Sequence, residues 1–276
     1  MLSTDELKQH IASCPMGDTP EEMREGFERL ASVATKHAAE GERDEIEGYP
    51  ALRFGEGPRR ILYFPGGGYV FGSPSTHRSL CRQLARAAGA EVIALDYPKA
   101  PEHPWPAQKQ AALSVFRRLR DEGSVGVAGD SAGGHLALIA ALEADPCLCV
   151  AFSPNTLRDD RLTATRKANG ERDAMVDDDD DRRLARLVFG EIEPGDPDQT
   201  LVLRDLSDLP PSLISVGTDE VLLDDSRVFA RHAEAAGAAV TLCERDGFHM
   251  EELFADVYEP GLRSVQRAGR FIASVD

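Results

Sequence analysis

No apolar run in the sequence approaches the ~18 residues that a membrane-spanning helix needs. The opening residues, MLSTDELKQH, carry charges of both signs and no apolar core, unlike a secretory signal peptide. Basic residues are scarce beside acidic ones: 31 Lys+Arg stand against 48 Asp+Glu, a formal net charge of −17. Such a surface repels nucleic acid and anionic membranes, so neither is expected as a partner. Cysteine is sparse and odd in number, at 5, so the thiols cannot all pair with one another. None stands in a CxxC or a Cys/His cluster of zinc spacing. Cys147 and Cys149 lie in an apolar run and read as buried core thiols. These absences predict a cytoplasmic, reduced protein with no metal and no cofactor. Internal repeats and Gly/Ser linkers are missing too, and 276 residues are enough for one large α/β domain without disulfide support.

What is present has two textures. In the first forty residues, Ser3 with Glu6 and Thr19 with Glu22 read as capping boxes. Leu7, Ile11 and Cys14, then Met23, Phe27 and Leu30, recur at helical spacing, which predicts two helices serving as a lid or as packing. From residue 45 short apolar runs bounded by Gly, Pro and Asp take over: ILYF at 61–64, VIAL at 92–95, VGVAG at 125–129, CLCVAF at 147–152, SLISVG at 212–217 and VTLC at 240–243. Helical stretches separate them. That alternation predicts one doubly wound domain with a mostly parallel sheet flanked by helices. Residues 154–211 have no clear strand. The run Asp177–Asp181 inside them reads as a helix N-terminus rather than a cation site, because contiguous carboxylates splay round a helix. It is expected to be solvated surface away from any site.

The strongest motif is VGVAGDSAGGHLALIAALEA at 125–144: an apolar strand, a G-x-S-x-G turn and a helix. Gly129 and Gly133 flank Ser131 because so sharp a turn leaves no room for side chains. A serine hydroxyl needs a base. In this fold class the chain order is nucleophile, acid, histidine. Of the seven histidines, His10 and His37 fall on the N-terminal helices, His77 and His103 precede Ser131, and His135 and His232 sit in helical stretches. Only His249 follows a predicted strand in a loop, RDGFHMEELF. The acid belongs just after SLISVG, where Asp219 and Glu220 compete, while Asp224 and Asp225 fall in the next helix. Gly66, Gly67 and Gly68 in LYFPGGGYVFGS let the backbone present N–H groups to an oxyanion, and the N–H of Ala132 adds another.

Five ordered motifs together resemble the hormone-sensitive-lipase-like family of bacterial esterases, which have the α/β-hydrolase fold. YFPGGGYVFGS is similar to its HGGG loop, DYPKAPEHPWPA to its Y-R-L-A-P-E-H segment, GDSAGG to its nucleophile motif, LPPSLISVGTDEVLLDDS to its acid segment, and DGFHM to its histidine loop. The resemblance implies Ser131 as nucleophile, His249 as base, Glu220 as acid in the (D/E)-x-L-x-D pattern, and Gly66, Gly67 and Ala132 as oxyanion donors. It also implies a small N-terminal helical cap over residues 1–40 on a catalytic domain of 41–276, of which part of 154–195 is a candidate to join the cap. Pro65 stands where the family has His, which removes that residue's orienting hydrogen bonds. Pro98 and Lys99 replace its Arg and Leu, while Glu102 and His103 remain to hold loops together.

The function implied is hydrolysis of short-chain or small cyclic carboxylic esters through an acyl-enzyme, with a small-molecule ester as the partner and a homodimer as the assembly such proteins often form. Phe71, Trp105 and Phe248 are candidates to line the substrate pocket. The rival readings are a non-catalytic binding protein, like the plant gibberellin receptors that the family resembles, and a lyase or transferase on the same fold. The receptors lack the histidine that this chain retains as His249.

Overall fold

The computed structural model describes residues 1–276 apart from His37, Asp160 and Asp276. His37, assigned above to the N-terminal helices, therefore lies outside the described residues. Two helices come first, α1 (Thr4–Ala12) and α2 (Pro20–Thr35), and both capping boxes form as the sequence predicts. β1 (Glu42–Ile46) and β2 (Tyr49–Phe54) make a hairpin whose turn, Glu47 and Gly48, has positive φ at both residues. There follow β3 (Arg60–Phe64), α3 (Arg78–Ala88), β4 (Glu91–Leu95), α4 (Ala107–Arg120), β5 (Val125–Asp130), α5 (Ala132–Ala144) and β6 (Cys149–Phe152). The long excursion after β6 holds α6 (Thr165–Ala168) and α7 (Asp178–Phe189) and, among the described residues, no strand. β7 (Ser212–Gly217), α8 (Leu223–Ala235), β8 (Val240–Arg245) and α9 (Glu259–Ser274) complete the chain.

The strands form one eight-stranded sheet in the order β1-β2-β4-β3-β5-β6-β7-β8. β1–β2 and β2–β4 pair antiparallel and every other pair is parallel. This is the α/β-hydrolase fold. Alternation along β3 shows why its apolar run is continuous. Leu62 and Phe64 join the core under α4, α5 and α8, whereas Ile61 and Tyr63 join the one under α3 and α9. A strand covered on both faces has no position left for a polar side chain. Cys149 is buried as expected, but Cys147, at the edge of that run, is only partly so.

The N-terminal helices pack on the other end of the chain. Leu7, Phe27, Leu30 and Ala34 form a third apolar cluster with Phe248, Met250, Leu253, Phe254 and Tyr258. Arg24 of α2 reaches the loop after β4, pairing with Glu102 at 2.6 Å and donating to the carbonyls of Val70 and Ala100. Glu102 thus ties its loop to α2 rather than, as expected from sequence, to another loop.

The acidic run is a helix start: Asp177 caps α7, accepting the N–H of Asp180 at 2.8 Å. Its expected distance from the site is wrong. Asp180 and Asp181 line the central cavity, and Asp181 is buried. Five successive residues cover more than a full helical turn, so one of them must face inward.

Candidate active site

Ser131 sits between β5 and α5 at φ 53° and ψ −121°. A non-glycine residue there costs about 1–3 kcal/mol of backbone strain. The flanking glycines make it feasible. A Cβ on Gly129 would lie 2.2 Å from the carbonyl oxygen of Gly133, and one on Gly133 would lie 1.9 Å from that of Phe64. The turn leaves Ser131 at the N-terminus of α5 with its hydroxyl facing His249. The Oγ lies 2.9 Å from His249 Nε2, and His249 Nδ1 lies 3.1 Å from Glu220 Oε2. A carboxylate only accepts, so Nδ1 carries the proton and Nε2 is free to accept from the serine.

Glu220 is fully buried, and its second oxygen accepts from Ser153 Oγ at 2.7 Å and from the N–H of Gly217 at 2.5 Å. Asp219 points elsewhere and pairs with Arg172. Burial alone would raise the Glu220 carboxyl, but the His249 hydrogen bond and charge, with Arg245, hold it below the usual range. Burial alone would likewise lower His249, yet the hydrogen bond and charge of Glu220, then Asp173 and Asp130, outweigh it and hold the imidazole above its ordinary value.

The glycine loop departs from expectation at one residue. Gly66 is not available to an oxyanion, because its N–H already donates to Asp130 Oδ1 at 3.0 Å and faces His77 Nε2 at 3.2 Å. Gly67, Gly68 and Ala132 line the cavity beside Ser131. Among the described residues, no protein acceptor takes their N–H groups. Of the N–H groups assigned to an oxyanion by resemblance, those of Gly67 and Ala132 are therefore open and that of Gly66 is occupied. The support feared lost at Pro65 is replaced. Tyr97 Oη donates to the Pro65 carbonyl, Tyr63 Oη donates to Asp130 at 2.5 Å, and His77 Nε2 lies 3.1 Å from Asp130 Oδ2. Asp130 precedes the nucleophile, so one carboxylate braces both.

These groups open on a cavity of about 300 Å³. Met16, Met23, Phe27 and Leu30 from the N-terminal segment form part of its wall, and Met175, Leu184 and Val188 form another part. Of the three aromatic candidates only Phe71 lines it. Phe248, the residue before His249, turns away into the cluster under α1 and α2 and stacks near Tyr258 at 6.1 Å. Trp105 sits one layer back against Tyr69, His135 and Phe189. His135 does line the cavity. Its Nε2 donates to the Asp198 carbonyl at 2.8 Å and its Nδ1 accepts from Tyr69 at 2.6 Å, so it is neutral, and burial pushes it down to about 3.

Sequence reasoning missed the segment that clasps the acid loop. Asn169 Nδ2 donates to the carbonyls of Thr218 and Glu220, at 3.1 and 2.8 Å. Asp173 accepts the N–H of Val221 at 3.1 Å and that of His249 at 3.3 Å. Burial, with the charge of Glu220, pushes Asp173 up to about 6 against the pull of His249. His77 and Asp130 were also overlooked as a pair, although Asp130 lies inside GDSAGG. Among the described residues no group of His, Cys, Asp and Glu could hold a metal ion, and no helix is long and apolar enough to cross a membrane.

A strained serine on a strand-to-helix turn, hydrogen-bonded to a histidine that a buried carboxylate orients, defines an α/β hydrolase site by its geometry. A family model described as the alpha/beta hydrolase fold matches residues 61–250. An acetyl-hydrolase of Streptomyces hygroscopicus is 39% identical over 228 residues, 78% of this chain and 75% of that protein. An esterase of Acinetobacter venetianus is 35% identical over 194 residues, 65% of this chain and 63% of its own length. A crystal structure of an esterase from the bacterial hormone-sensitive lipase family superposes with a TM-score of 0.90 at 30% identity, covering 100% of this chain and 99% of that one. The chain belongs to the α/β-hydrolase superfamily, within its hormone-sensitive-lipase-like esterase family.

Proposed function

We propose that the protein is a serine carboxylic-ester hydrolase that works through an acyl-enzyme on short-chain esters. The observation that carries this reading is the hydrogen-bonded series Ser131–His249–Glu220 facing the free N–H groups of Gly67, Gly68 and Ala132. Ser131 Oγ attacks the ester carbonyl while His249 Nε2 takes its proton. The carbonyl oxygen, now an anion, is held by the N–H groups of Gly67 and Gly68 in the loop after β3 and of Ala132 at the N-terminus of α5. Glu220 keeps the Nδ1 proton in place and stabilises the imidazolium without taking that proton. His249 then protonates the departing alkoxide, and in the second half removes a proton from the water that attacks the acyl-serine.

The size of the cavity and the intrusion of Phe27, Phe71 and Met16 favour a small acyl group, and the name of the Streptomyces relative points to acetyl. In this reading α1 and α2, with residues from the 154–195 excursion, act as the cap that excludes water. Retention of His249 argues against the binding-protein alternative. Hydrolysis of p-nitrophenyl esters of increasing chain length by wild type and Ser131→Ala tests the proposal. Activity should peak at short chains and vanish in the variant, with an organophosphonate labelling Ser131. No turnover of any ester and no labelling would end it.

A further inference from the structure

The wall of the cavity contributed by the segment after β6 contains a charged group that the reaction above does not use. Arg158 lines the cavity with its side chain only 10% exposed. Its Nη1 donates to Asp181, and among the described residues no protein acceptor takes its Nε or Nη2. Neither nitrogen is among the polar atoms sealed in protein without a partner, and the residue to which both belong lines the cavity.

Asp181 does not require Arg158 for its own hydrogen bonding. Asn155 Nδ2 donates to its Oδ1, and Arg166 Nη1 reaches its Oδ2 at 2.6 Å. Arg166 in turn holds Asp225 at 2.8 Å and the Leu157 carbonyl at 3.0 Å. Arg158 and Arg166 thus share this wall with Asp181 and Asp225, and Asp178 lies 3.2 Å from Arg166 Nη1. The wall presents a guanidinium edge fixed by a carboxylate behind it. The backbone N–H of Asn155 contacts the carbonyl of Ser131 at 3.5 Å, so this wall begins directly beside the nucleophile.

A desolvated guanidinium with two nitrogens lacking acceptors favours a ligand that supplies planar oxygen acceptors, because its fork matches them and a buried donor left unpaired is costly. We propose that Arg158 is a specificity-determining residue that selects esters bearing, besides the scissile ester, a second carbonyl or carboxylate oxygen. The inference rests on the reading of Ser131 as nucleophile. It narrows the substrate class from simple alkyl esters to polar ones with an acceptor group on the acyl or the alcohol side.

The test compares kcat/KM within two matched series. On the acyl side these are the p-nitrophenyl esters of butyrate, N-acetylglycine and hemisuccinate. On the alcohol side they are n-butyl acetate, 4-acetoxybutanamide and 4-acetoxybutanoate. Wild type should prefer an acceptor-bearing member over its alkyl partner by about tenfold or more in at least one series. Arg158→Met should reduce that ratio to near one. Amide against carboxylate members tell which acceptor is taken. The proposal is overturned if wild type shows no preference in either series, or if the ratio is unchanged in Arg158→Met. If that variant does not fold, Arg158→Lys keeps a cation opposite Asp181 but loses the fork, and the same ratio decides. Hydrolysis persisting in Ser131→Ala would refute the underlying nucleophile assignment separately, whatever Arg158 does.

Discussion

Asp173 accepts the backbone N–H of His249 with one carboxylate oxygen, at 3.3 Å, and that of Val221, the neighbour of Glu220, with the other, at 3.1 Å. The loops of the base and the acid are therefore held in register by a side chain from neither. Asp173→Ala should lower kcat about tenfold with KM little changed, since small losses of alignment at a site cost rate. Asp173→Asn keeps one acceptor oxygen and should retain more of the rate. Both remove a negative charge that helps hold His249 up, so the acid limb of the pH–rate profile should move to lower pH. A fall in melting temperature with an unmoved limb would reduce Asp173 to a structural part.

His249 must be neutral to take the serine proton. Its raised pKa means that activity falls as pH drops through a value above the ordinary imidazole one of 6.5. Glu220→Gln removes the group that does most to raise it. The limb should shift downward, and kcat should fall about a thousandfold or more because the histidine tautomer is no longer fixed. Asp219→Asn, which touches a carboxylate paired with Arg172, should leave kcat within about twofold. The paired profiles of the two variants check both statements.

Asp130→Ala removes the acceptor of the Gly66 N–H and the partner of Tyr63. The glycine loop then loses its anchor, and the N–H groups of Gly67 and Gly68 drift from the developing oxyanion. A drop in kcat of about a hundredfold is expected, the scale of losing one oxyanion donor. Labelling of Ser131 by a phosphonate, which also needs those donors, should slow in parallel.

Glu251 is buried beside Glu252 and Glu220, with Arg245 as their shared cation. Burial raises its pKa well above the ordinary 4.5, against the pull of Arg245 and with Glu252 and Glu220 adding to the rise. A folded-state pKa above the unfolded one means stability that is complete below about pH 4.5 and is lost as pH rises through the raised value. Glu251→Gln cannot ionise. Its melting temperature should gain on wild type between pH 5 and pH 8, and a constant difference across that range would contradict the assignment.

The fold and the strained turn that carries Ser131 are legible because each rests on a local rule. A two-sided sheet forces unbroken apolar strands such as 61–64, and a strained turn forces Gly129 and Gly133 around Ser131. Glu220 was chosen over Asp219 by resemblance alone, and the structure supplies the reason: adjacent residues at a turn point apart, one to His249 and one to Arg172. That the Gly66 N–H is occupied is not legible, because nothing in PGGG tells which N–H finds an acceptor 64 positions away at Asp130. Asp173, Asn169, Arg158 and Asp181 were illegible for a related cause. They lie in the excursion after β6, Asp181 on α7 and the others outside it, and their partners are set by how that excursion drapes over the sheet. Phe248 and Trp105 were read as pocket residues from their type, but an aromatic beside a site packs where the third cluster or a second layer offers a surface.

Asp130 and Ser131 are consecutive, and the first holds the glycine loop through the Gly66 N–H while the second carries the proposed nucleophile. The distance across the tetrahedral carbon, from attacking oxygen to charge-accepting donors, is thus written into a single peptide unit. The base is placed differently: Asp173 of the excursion after β6 holds its backbone, and Phe248 and Met250 on either side of it pack under the N-terminal helices.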